Sequence, residues 1–358
     1  MTANNSPASD NRFKVGVSAD LRRPDGTLVI PEADLSLLED NDQIRVTTLE
    51  NVGGGHLTAE HIGDNDAIIL MLERIDAQSF TDNQPLTAMA RYGVGFDTID
   101  TAACTRNDVA LAIAPDGVRR PVATTVMGFL LALTLRLPEK DKLTRQSDPG
   151  WAVKTNYNGT GLVGRTLGGI GLGNIGAEVF RLAQPFDMKL IAHDPYVDPS
   201  IAASLNVQLV GLEDVFRQSD FLTVNCLLND ETRHIVNAER LALMKETAYL
   251  INTARGPVVD EPALIAALQN GAIAGAGLDV FEQEPISADN PLVKMDNVIL
   301  SPHALCFTDQ CMRGLGDVDV KVCLDIMQGT VPQSVVNQEV LDQPGFRNKL
   351  EALSRRHS

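Results

Sequence analysis

The hexapeptide Gly171-Leu172-Gly173-Asn174-Ile175-Gly176 follows the apolar run Leu167–Ile170 and precedes a segment with helical periodicity. In this spacing the first glycine permits a tight strand-to-helix turn, the second admits a pyrophosphate close to the backbone, and the third lets helix and strand pack closely. The N-terminus of the helix adds N–H groups and a partial positive charge. Three glycines alone are also compatible with a simple turn, but this setting favours a dinucleotide site.

An acidic residue, Asp194, lies eighteen positions after the last of these glycines, at the end of the β-like run Lys189–His193. A carboxylate at this place in a dinucleotide-binding unit accepts hydrogen bonds from a ribose diol. It would also repel the 2′-phosphate of NADP. The sequence therefore predicts NAD as the cofactor, with Asp194 at its ribose.

The composition indicates a globular protein with a large core. The chain has 358 residues, of which 44% are hydrophobic, and this length favours two domains over one. The formal net charge is −17 without a cluster of Lys and Arg, which argues against nucleic acid as a partner. The longest apolar stretch, Val126–Leu137, is too short to span a bilayer, so we predict a buried helix and no membrane partner. The polar start, Met1–Asn11, is predicted to be a disordered tail rather than a secretory signal.

The cysteines are odd in number and widely scattered, which suits a reducing compartment and predicts a cytoplasmic protein. His303, Cys306 and Cys311 invite comparison with a zinc site, but the ligands of structural zinc sites recur at tighter spacings and in complete tetrahedral sets. We therefore predict no metal, and free thiols that are buried or partly buried. The cysteines are Cys104, Cys226, Cys306, Cys311 and Cys323.

Short apolar, β-branched runs recur along the chain with the rhythm of parallel sheets. They fall into two series, which predict two α/β units. A breaker cluster at Ala114–Gly117 marks the joint between them, and Pro121–Arg145 is predicted to be one long helix. The runs of the first series are Phe13–Ser18, Ile44–Leu49, Ala67–Leu72 and Val109–Ile113. Those of the second are Leu167–Ile170, Leu190–His193, Phe221–Cys226, Tyr249–Thr253, Gly277–Phe281 and Val298–Leu300.

Further helices are predicted at Ala177–Phe186, Glu261–Asn270 and Thr308–Gln328. The last of these lies in a piece of chain too short to form its own domain. It can therefore return to the first unit.

Arg255, Glu284 and His303 each follow one of the last three predicted strands, at the edge where open α/β sheets bind ligands. Redox chemistry at a carbon next to a carboxylate needs a cation for the carboxylate, an acid/base for the hydroxyl proton and a group that sets that acid's pKa. The guanidinium of Arg255 can hold a carboxylate with two hydrogen bonds. A glutamate bonded to an imidazole favours the imidazolium and fixes its tautomer, so Glu284 and His303 suit acid/base work.

Each of these residues also has a purely structural interpretation. Arg255 could cap a loop, Glu284 could be a solvated residue before Pro285, and His303 could be a satisfied histidine after Pro302. Their joint occurrence at one edge of one nucleotide-binding unit favours a catalytic site.

Five stretches cover nearly the whole chain outside its tails and occur in a recognisable order. Together they resemble the D-isomer-specific 2-hydroxyacid dehydrogenase family, and their combination is highly specific. The stretches are Arg91–Asp100 (RYGVGFDTID), Gly171–Gly176 (GLGNIG), Ile251–Asp260 (INTARGPVVD), Gly277–Pro285 (GLDVFEQEP) and Ser301–His303 (SPH).

The resemblance implies an α/β fold of two doubly wound parallel-sheet domains. In this layout a Rossmann NAD-binding domain, residues 117–304, is inserted in a flavodoxin-like substrate-binding domain formed by residues 1–116 and 305–358. The resemblance also implies a homodimer.

Roles for individual residues follow from the same resemblance. Arg255 would anchor the substrate carboxylate, His303 would donate and accept the proton, and Glu284 would be the partner of His303. The backbone amides of Val94 and Gly95 would also bind the substrate carboxylate, although the glycines there could mark a plain tight turn. Cofactor contacts would come from Gly171, Gly173, Asn174, Ile175, Gly176, Asp194, Thr253 and Asp279, with Asn174 and Ile175 on the pyrophosphate and Asp279 on the nicotinamide carboxamide.

The sequence departs from the family pattern at a few positions. Leu227 replaces a usual proline, and Asn229 replaces a common threonine but is expected to cap a helix. Gly169 is expected to weaken a strand that is usually more aliphatic. The run Ala304–Phe307 replaces a small, glycine-containing run, which changes the wall of the active site and hence bears on the substrate.

The predicted function is NAD-dependent hydride transfer between nicotinamide and C2 of a small D-2-hydroxy acid or 2-oxo acid, with His303 as acid and base. A formate-dehydrogenase-like enzyme is disfavoured, because that branch carries glutamine at the position of Glu284. An NAD-responsive corepressor with similar motifs stays an alternative. So does a phosphoglycerate-dehydrogenase-like enzyme, although its phosphate-binding arginine falls at Met71, beside Glu73 and near Arg74. We therefore expect an unphosphorylated substrate such as glyoxylate, hydroxypyruvate or pyruvate.

Overall fold

The computed structural model describes residues 10–357, in which the chain forms two compact units. The first contains the residues up to Val118 and those from Thr308 onward, and the second contains Arg119–Phe307. The sequence predicts boundaries after residues 116 and 304. The disordered tail predicted for Met1–Asn11 lies outside the described residues, except for its last two positions.

The first unit is built on one parallel sheet. Its strands are β1 (Phe13–Val17), β2 (Ile44–Thr48), β3 (Ala67–Leu70), β4 (Ala88–Arg91) and β5 (Ala110–Ile113). Their order is β2-β1-β3-β4-β5, the flavodoxin-like order of doubly wound folds. Every residue of β3 is buried, as expected for a parallel strand covered on both faces.

The second unit is also built on a parallel sheet. Its strands are β6 (Thr166–Ile170), β7 (Lys189–His193), β8 (Gln208–Leu209), β9 (Phe221–Val224), β10 (Tyr249–Asn252), β11 (Gly275–Leu278) and β12 (Val298–Leu300). Their order is β12-β11-β10-β9-β6-β7-β8, so the chain changes direction across β6, whose neighbours are β7 and β9. Ligands of such sheets bind beyond the carboxyl ends of the strands at this switch point. The predicted α/β fold with two parallel sheets is confirmed.

The sheet of the second unit has a hydrophobic core on each face. Successive residues of a strand point to opposite faces, and Leu250 and Ile251 of β10 accordingly belong to separate clusters of buried side chains. Phe216 lies in the cluster of Leu250, and Phe129 and Phe180 lie in that of Ile251. Packing on both faces makes the strand ends firm supports for functional side chains.

The helices are, in chain order, α1 (Ser36–Glu39), α2 (Ala59–Ile62), α3 (Thr101–Arg106), α4 (Pro115–Thr134), α5 (Leu137–Arg145), α6 (Asp148–Ala152), α7 (Asn174–Ala183), α8 (Pro199–Ser204), α9 (Leu212–Gln218), α10 (Ala238–Leu241), α11 (Glu261–Gln269), α12 (Asp309–Met327) and α13 (Pro344–Arg356). The helix predicted at Thr308–Gln328 is confirmed, because these two residues are the N-cap and C-cap of α12. The helix predicted at Ala177–Phe186 corresponds to α7, which begins three residues earlier, at Asn174. The last three residues of the predicted helix, Gln184–Phe186, form a 3-10 turn.

The prediction of one long helix over Pro121–Arg145 is wrong. The structure has α4 from Pro115 to Thr134 and α5 from Leu137, and the two helices are bent by 55°. Arg136, which lies between them, has a left-handed backbone with a φ of 53°. The joint predicted at Ala114–Gly117 lies next to the boundary between the units, which follows Val118. Its residues do not interrupt the secondary structure, because proline suits the first turn of a helix and Pro115 begins α4.

The break between α4 and α5 follows from Pro138. In a continuous helix its ring would clash with the carbonyl of Thr134, and it has no N–H to donate. The Thr134 carbonyl instead accepts a hydrogen bond from the backbone N–H of Thr160, at an N···O distance of 2.8 Å. Within residues 10–357 no single helix has the length and apolar composition needed to cross a membrane, whereas α4 and α5 meet that test only together, across their bend.

Two strands, β4 and β8, were not predicted. The sequence of β4, Ala-Met-Ala-Arg, has no β-branched residue, and β8 has only two residues, so neither shows the pattern of a strand. Pairing with β3 on one side and β5 on the other forms β4. The neighbouring strands, rather than local propensity, therefore determine that this segment is extended.

Glycines in β6 and β11 let helices pack close to the sheet. A Cβ atom at Gly169 would lie 2.9 Å from the ring of Phe180, and one at Gly277 would lie 2.7 Å from the ring of Phe129. Gly169, which was expected to weaken its strand, therefore makes room for a core aromatic side chain. The strand predicted at Gly277–Phe281 begins two residues earlier in the structure, as β11. The glycines of β11 hide the start of this strand from a search for apolar, β-branched runs.

Candidate active site

The glycine-rich turn after β6 has the conformation that its sequence predicts. Gly171 has a φ of 93°, and a Cβ atom there would lie 2.8 Å from the backbone nitrogen of Cys226. A Cβ atom at Gly176 would lie 2.3 Å from the carbonyl oxygen of Gly171. A Cβ atom at Gly173 would meet no atom within 4 Å, so this glycine borders open space. The first and third glycines are thus needed by the turn itself, and the second leaves room above the backbone for a ligand.

The helix that follows this turn starts at Asn174, with Gly173 as its N-cap. The Gly173 carbonyl accepts the hydrogen bond from Ala177 N–H that begins the helical ladder (2.9 Å). Asn174 and Ile175 therefore occupy the first turn of α7, whose amides point out of the positive end of the helix. This is the position at which a pyrophosphate is bound in dinucleotide-binding units.

Asp194 holds the glycine-rich turn in place. Its Oδ2 accepts a hydrogen bond from the N–H of Leu172 (2.7 Å), and its Oδ1 accepts from those of Tyr196 (2.9 Å) and Val197 (3.1 Å). A carboxylate has about four lone-pair positions, so these bonds leave capacity for a ribose hydroxyl. Asp194 is thus suited both to shape the turn and to contact the cofactor.

Two buried polar atoms at the carboxyl ends of β9 and β10 have no hydrogen-bond partner among residues 10–357. They are Nδ2 of Asn225 and Oγ1 of Thr253. Such groups are costly to bury without a partner, which a bound ligand could supply. Thr253 was predicted from the sequence, whereas Asn225 was missed because an asparagine after a strand carries no pattern of its own. Both atoms, together with the glycine-rich turn, fit a dinucleotide.

The turn that carries Arg255 is fixed by a buried amide, Asn252. Its Nδ2 donates to the carbonyl of Arg255 and its Oδ1 accepts from the N–H of Ala254, both at 3.0 Å. Gly256 presses against the next turn of the chain, because a Cβ atom there would lie only 1.8 Å from the carbonyl oxygen of Phe281. The sequence predicts Arg255, but not the amide that supports it.

Glu284 and His303 form the predicted pair. The Nδ1 atom of His303 lies 2.8 Å from Oε2 of Glu284, and Oε1 of Glu284 accepts a hydrogen bond from Phe281 N–H (3.0 Å). Burial raises the pKa of Glu284, but the hydrogen bond and charge of His303, with smaller contributions from Phe281 N–H and Arg255, outweigh it and hold the pKa below its usual value. The side chains are 37% and 43% exposed, so the pair is accessible to a small molecule.

The backbone of His303 is left-handed, with a φ of 55°, a conformation uncommon for residues other than glycine. Asp279 stabilises the turn around it, because its Oδ1 accepts hydrogen bonds from the N–H groups of Ala304 (3.1 Å) and Leu305 (3.2 Å). The N–H of Asp279 donates in turn to the carbonyl of Asn252 (3.0 Å). Asp279 thus links the turns of Arg255 and His303, and its contact with the nicotinamide carboxamide stays a prediction.

The predicted substrate-binding amides, Val94 and Gly95, lie in the first unit, in the loop after β4. Gly93, at the start of this loop, has a φ of 143°, and its carbonyl accepts from Ala114 N–H (2.9 Å). The hydroxyl of the neighbouring Tyr92 donates to the carbonyl of Met312 in α12 (2.7 Å). The loop is therefore well supported within its unit, and its role in carboxylate binding stays a prediction.

The expectation that Asn229 caps a helix is wrong. Its Oδ1 accepts hydrogen bonds from the N–H groups of Glu231 and Thr232, both at 3.0 Å, but these close a turn. The next helix begins only at Ala238. An asparagine side chain caps a turn by the same bonds with which it caps a helix, so the local sequence does not distinguish the two.

All five cysteines have free thiols. Cys311 is buried and Cys306 is partly buried, as predicted for these two. In the described part of the chain, no group of three or more His, Cys, Asp and Glu side chains is placed to hold a metal ion.

Comparison with known proteins identifies the family of the chain. The family described as "D-isomer specific 2-hydroxyacid dehydrogenase, NAD binding domain" matches residues 127–304. A glyoxylate reductase from Korarchaeum cryptofilum is 36% identical over 327 residues, which are 90% of this chain and 98% of the relative. The chain belongs to the D-isomer-specific 2-hydroxyacid dehydrogenases. It is an NAD-dependent oxidoreductase of this family.

One further relative and one solved structure are also similar to the chain. A D-3-phosphoglycerate dehydrogenase from Methanocaldococcus jannaschii is 34% identical over 318 residues, which are 87% of this chain but 59% of that relative. The crystal structure of a glyoxylate reductase from Paecilomyes thermophila has a TM-score of 0.78 at 24% identity, and the match covers 91% of this chain and 99% of that one. This last likeness shows the shared fold.

Proposed function

We propose that this dehydrogenase reduces a small, unphosphorylated 2-oxo acid to the D-2-hydroxy acid with NADH. The observation that carries the proposal is the hydrogen bond between His303 and Glu284, next to the turn of Arg255. Glyoxylate is the first candidate substrate, because a relative named glyoxylate reductase is similar over 90% of the chain. Hydroxypyruvate and pyruvate share the same carboxylate and adjacent carbonyl.

The pairing with Glu284 decides which nitrogen of His303 handles the proton. An ionised carboxylate can only accept a hydrogen bond, so Nδ1 keeps its proton and Nε2 is the nitrogen that exchanges one with the substrate. In reduction Nε2 donates a proton to the oxygen on C2, and in oxidation it takes the proton back. When bound, NADH supplies the hydride to C2 and NAD accepts it.

Arg255 is proposed to hold the substrate carboxylate. Its planar guanidinium can make two parallel hydrogen bonds, which would fix C2 and its oxygen relative to the acid. The support for this role is the anchoring of its turn by Asn252 and the contact of Gly256 with Phe281. A turn held this firmly can position a bound anion with little reorganisation.

The first unit favours a substrate without phosphate. The carboxylate of Glu73, which is buried, accepts a hydrogen bond from the N–H of Met71 (2.7 Å), just beyond the carboxyl end of β3. In phosphoglycerate-type relatives the arginine that helps to hold the phosphate is expected at the position of Met71. A negative charge here would repel a phosphate.

The experiment compares hydroxypyruvate with 3-phosphohydroxypyruvate at one salt concentration and saturating NADH. We expect the higher kcat/KM for hydroxypyruvate, because Met71 and the carboxylate of Glu73 stand where phosphoglycerate-type relatives are expected to carry a phosphate-binding arginine. A higher value for the phosphorylated compound would overturn the proposal, and would indicate Arg74 or Arg91 as the phosphate partner.

We also propose a homodimer, formed through the segment that follows α4. Exposed apolar side chains are concentrated there, and such patches commonly mark protein interfaces. Replacing Trp151 by Glu is expected to yield monomers in light-scattering chromatography, whereas Leu37→Glu, at an exposed site in the first unit, leaves a dimer. A monomeric wild-type protein would contradict the proposal. The large apolar side chains exposed in this segment are Leu135, Leu137, Trp151, Val153 and Val163.

A cytoplasmic location is proposed on the basis of the cysteines. All five are free thiols in the structure, including Cys306 and Cys311. Free thiols are maintained in a reducing compartment.

A further inference from the structure

The turn Phe281–Pro285 carries two glutamates, and each of them is paired with a histidine. Glu284 holds His303, the proposed acid. Glu282 holds a second histidine, His234, with 2.6 Å between Oε1 of the glutamate and Nε2 of the imidazole. The second pair has no part in the chemistry described above.

His234 lies alongside the turn that carries Arg255. Its backbone N–H donates to the carbonyl of Pro257 (2.9 Å), and two residues later the N–H of Val236 donates to the carbonyl of Val258 (3.1 Å). The segment of His234 is therefore attached to the residues immediately after Arg255 by backbone hydrogen bonds.

Glu282 lies on the other side of the same turn. Gly256 abuts the Phe281–Glu282 peptide so closely that a Cβ atom there would lie 1.8 Å from the Phe281 oxygen and 2.4 Å from the Glu282 nitrogen. The N–H of Glu282 also donates to Oε2 of Glu261, at the start of α11 (3.1 Å). These contacts fix the backbone of Glu282, and its side chain then bridges to His234.

These contacts form a closed ring around the turn of Arg255. One link is the backbone bond from His234 to Pro257, the second is the contact of Gly256 with Phe281, and the third is the side-chain bond from Glu282 to His234. We propose that the His234–Glu282 pair is a positioning pair, which keeps Arg255 and Glu284 in a fixed relation. The proposal rests on the proposed roles of Arg255 and Glu284.

The pair acts through geometry, so its loss affects the use of the 2-oxo acid more than the binding of NADH. The glycine-rich turn and Asp194 belong to other parts of the unit and make none of the contacts in the ring. A shift of the Arg255 turn would instead misplace the substrate carboxylate. Displacements of about 1 Å at such positions can cost up to about a hundredfold in rate.

The test uses Glu282→Ala and His234→Ala in the full-length enzyme, with glyoxylate and NADH. We expect the KM for glyoxylate to rise about tenfold or more, with a smaller fall in kcat, while the Kd for NADH measured by its fluorescence stays within about twofold of wild type. Both variants remove the same contact, the bond between Glu282 and His234. The KM of the double variant should therefore be no higher than that of the poorer single variant.

Three further variants separate positioning from a general structural effect. Glu282→Gln keeps an acceptor for His234 and should restore most of the wild-type KM. Glu282→Asp retracts the carboxylate and should raise the KM, so it decides the matter if the alanine variants fail to fold. Asp214→Ala, which removes a carboxylate paired with Arg217 on the surface of the same unit, should leave all three constants unchanged.

An unchanged glyoxylate KM in Glu282→Asp and in the folded alanine variants would overturn the proposal. So would equal losses in Glu282→Gln and Glu282→Ala, or a parallel weakening of NADH binding. Arg255→Lys, assayed alongside, identifies which idea has failed: if it too leaves the KM unchanged, the proposed role of Arg255 is wrong, and if it alone raises the KM, only the positioning pair is wrong.

Discussion

Glu284 is the charged partner of His303, the proposed acid. His303 and Arg255 hold its pKa below the usual value despite burial, so the carboxylate is ionised at neutral pH. An ionised carboxylate accepts the hydrogen bond from Nδ1 of His303 and so fixes the tautomer of the imidazole, which leaves Nε2 to exchange the proton. Loss of this charge should therefore impair the proton transfer.

Replacing Glu284 by Gln should lower kcat for reduction by about tenfold or more. The amide keeps the shape of the side chain but loses the charge that fixes the tautomer of His303, so Nε2 is less often the nitrogen that carries the transferable proton. The measurement is kcat for the 2-oxo acid at saturating NADH for both proteins. An equal kcat in both would contradict the pairing.

Asp194 should make the enzyme prefer NADH. Its carboxylate, fixed by three backbone N–H groups, would face the 2′-phosphate of NADPH with a like charge. We expect kcat/KM for NADH to exceed that for NADPH by about tenfold or more, measured at saturating 2-oxo acid. Equal values for the two cofactors would show that Asp194 does not face the ribose.

The sequence predicts which side chains are candidates for the reaction, but it does not predict the residues that hold them in place. Arg255, Glu284 and His303 have the residue types that the chemistry needs, and each follows a strand, so sequence and topology suffice. Asn252 and Asp279 support them through bonds to backbone groups of neighbouring turns. Those bonds depend on turn conformations that a residue pattern does not encode.

Two glycines of the glycine-rich turn have different roles in this element. Gly176 is required by close packing of α7 against the turn, whereas Gly173 borders open space. The same side chain added at these two positions should therefore have different effects.

Gly176→Ala should lower both stability and NADH affinity, because its methyl group would overlap the Gly171 carbonyl, and overpacking of this kind costs about 1–3 kcal/mol. Gly173→Ala should leave the Tm close to that of wild type but weaken NADH, because its methyl group would occupy the space left for the ligand. Thermal unfolding and NADH titration of both variants check this. A Gly173→Ala enzyme with wild-type NADH affinity would show that the pyrophosphate lies elsewhere.

Other elements show where sequence patterns fail. The apolar periodicity of Pro121–Arg145 continues through residues 135–136, but Pro138 prevents the backbone from continuing as one helix. In β4 the reverse happens, because pairing on both sides forms a strand from residues without strand propensity. Both outcomes depend on contacts distant from the pattern itself.

At the scale of the whole molecule, the two units have the strand orders of two doubly wound folds. The order of the motifs along the chain made the fold class predictable, because a first series of strands, a nucleotide-binding series and a returning helix occur in succession, although β4 and β8 carry no strand pattern. The net charge of −17 is unfavourable for anionic ligands such as NADH and a 2-oxo acid. Local positive groups, Arg255 and the N-terminus of α7, must therefore supply the attraction for these anions.

The most direct test of the central claim is the effect of His303→Ala on the best 2-oxo acid found with NADH. The account predicts that kcat falls about a hundredfold to ten-thousandfold, because a general acid is lost, while the Kd for NADH stays within about twofold of wild type. A variant with near-wild-type kcat/KM would contradict the assignment of His303 as the acid and base of this dehydrogenase.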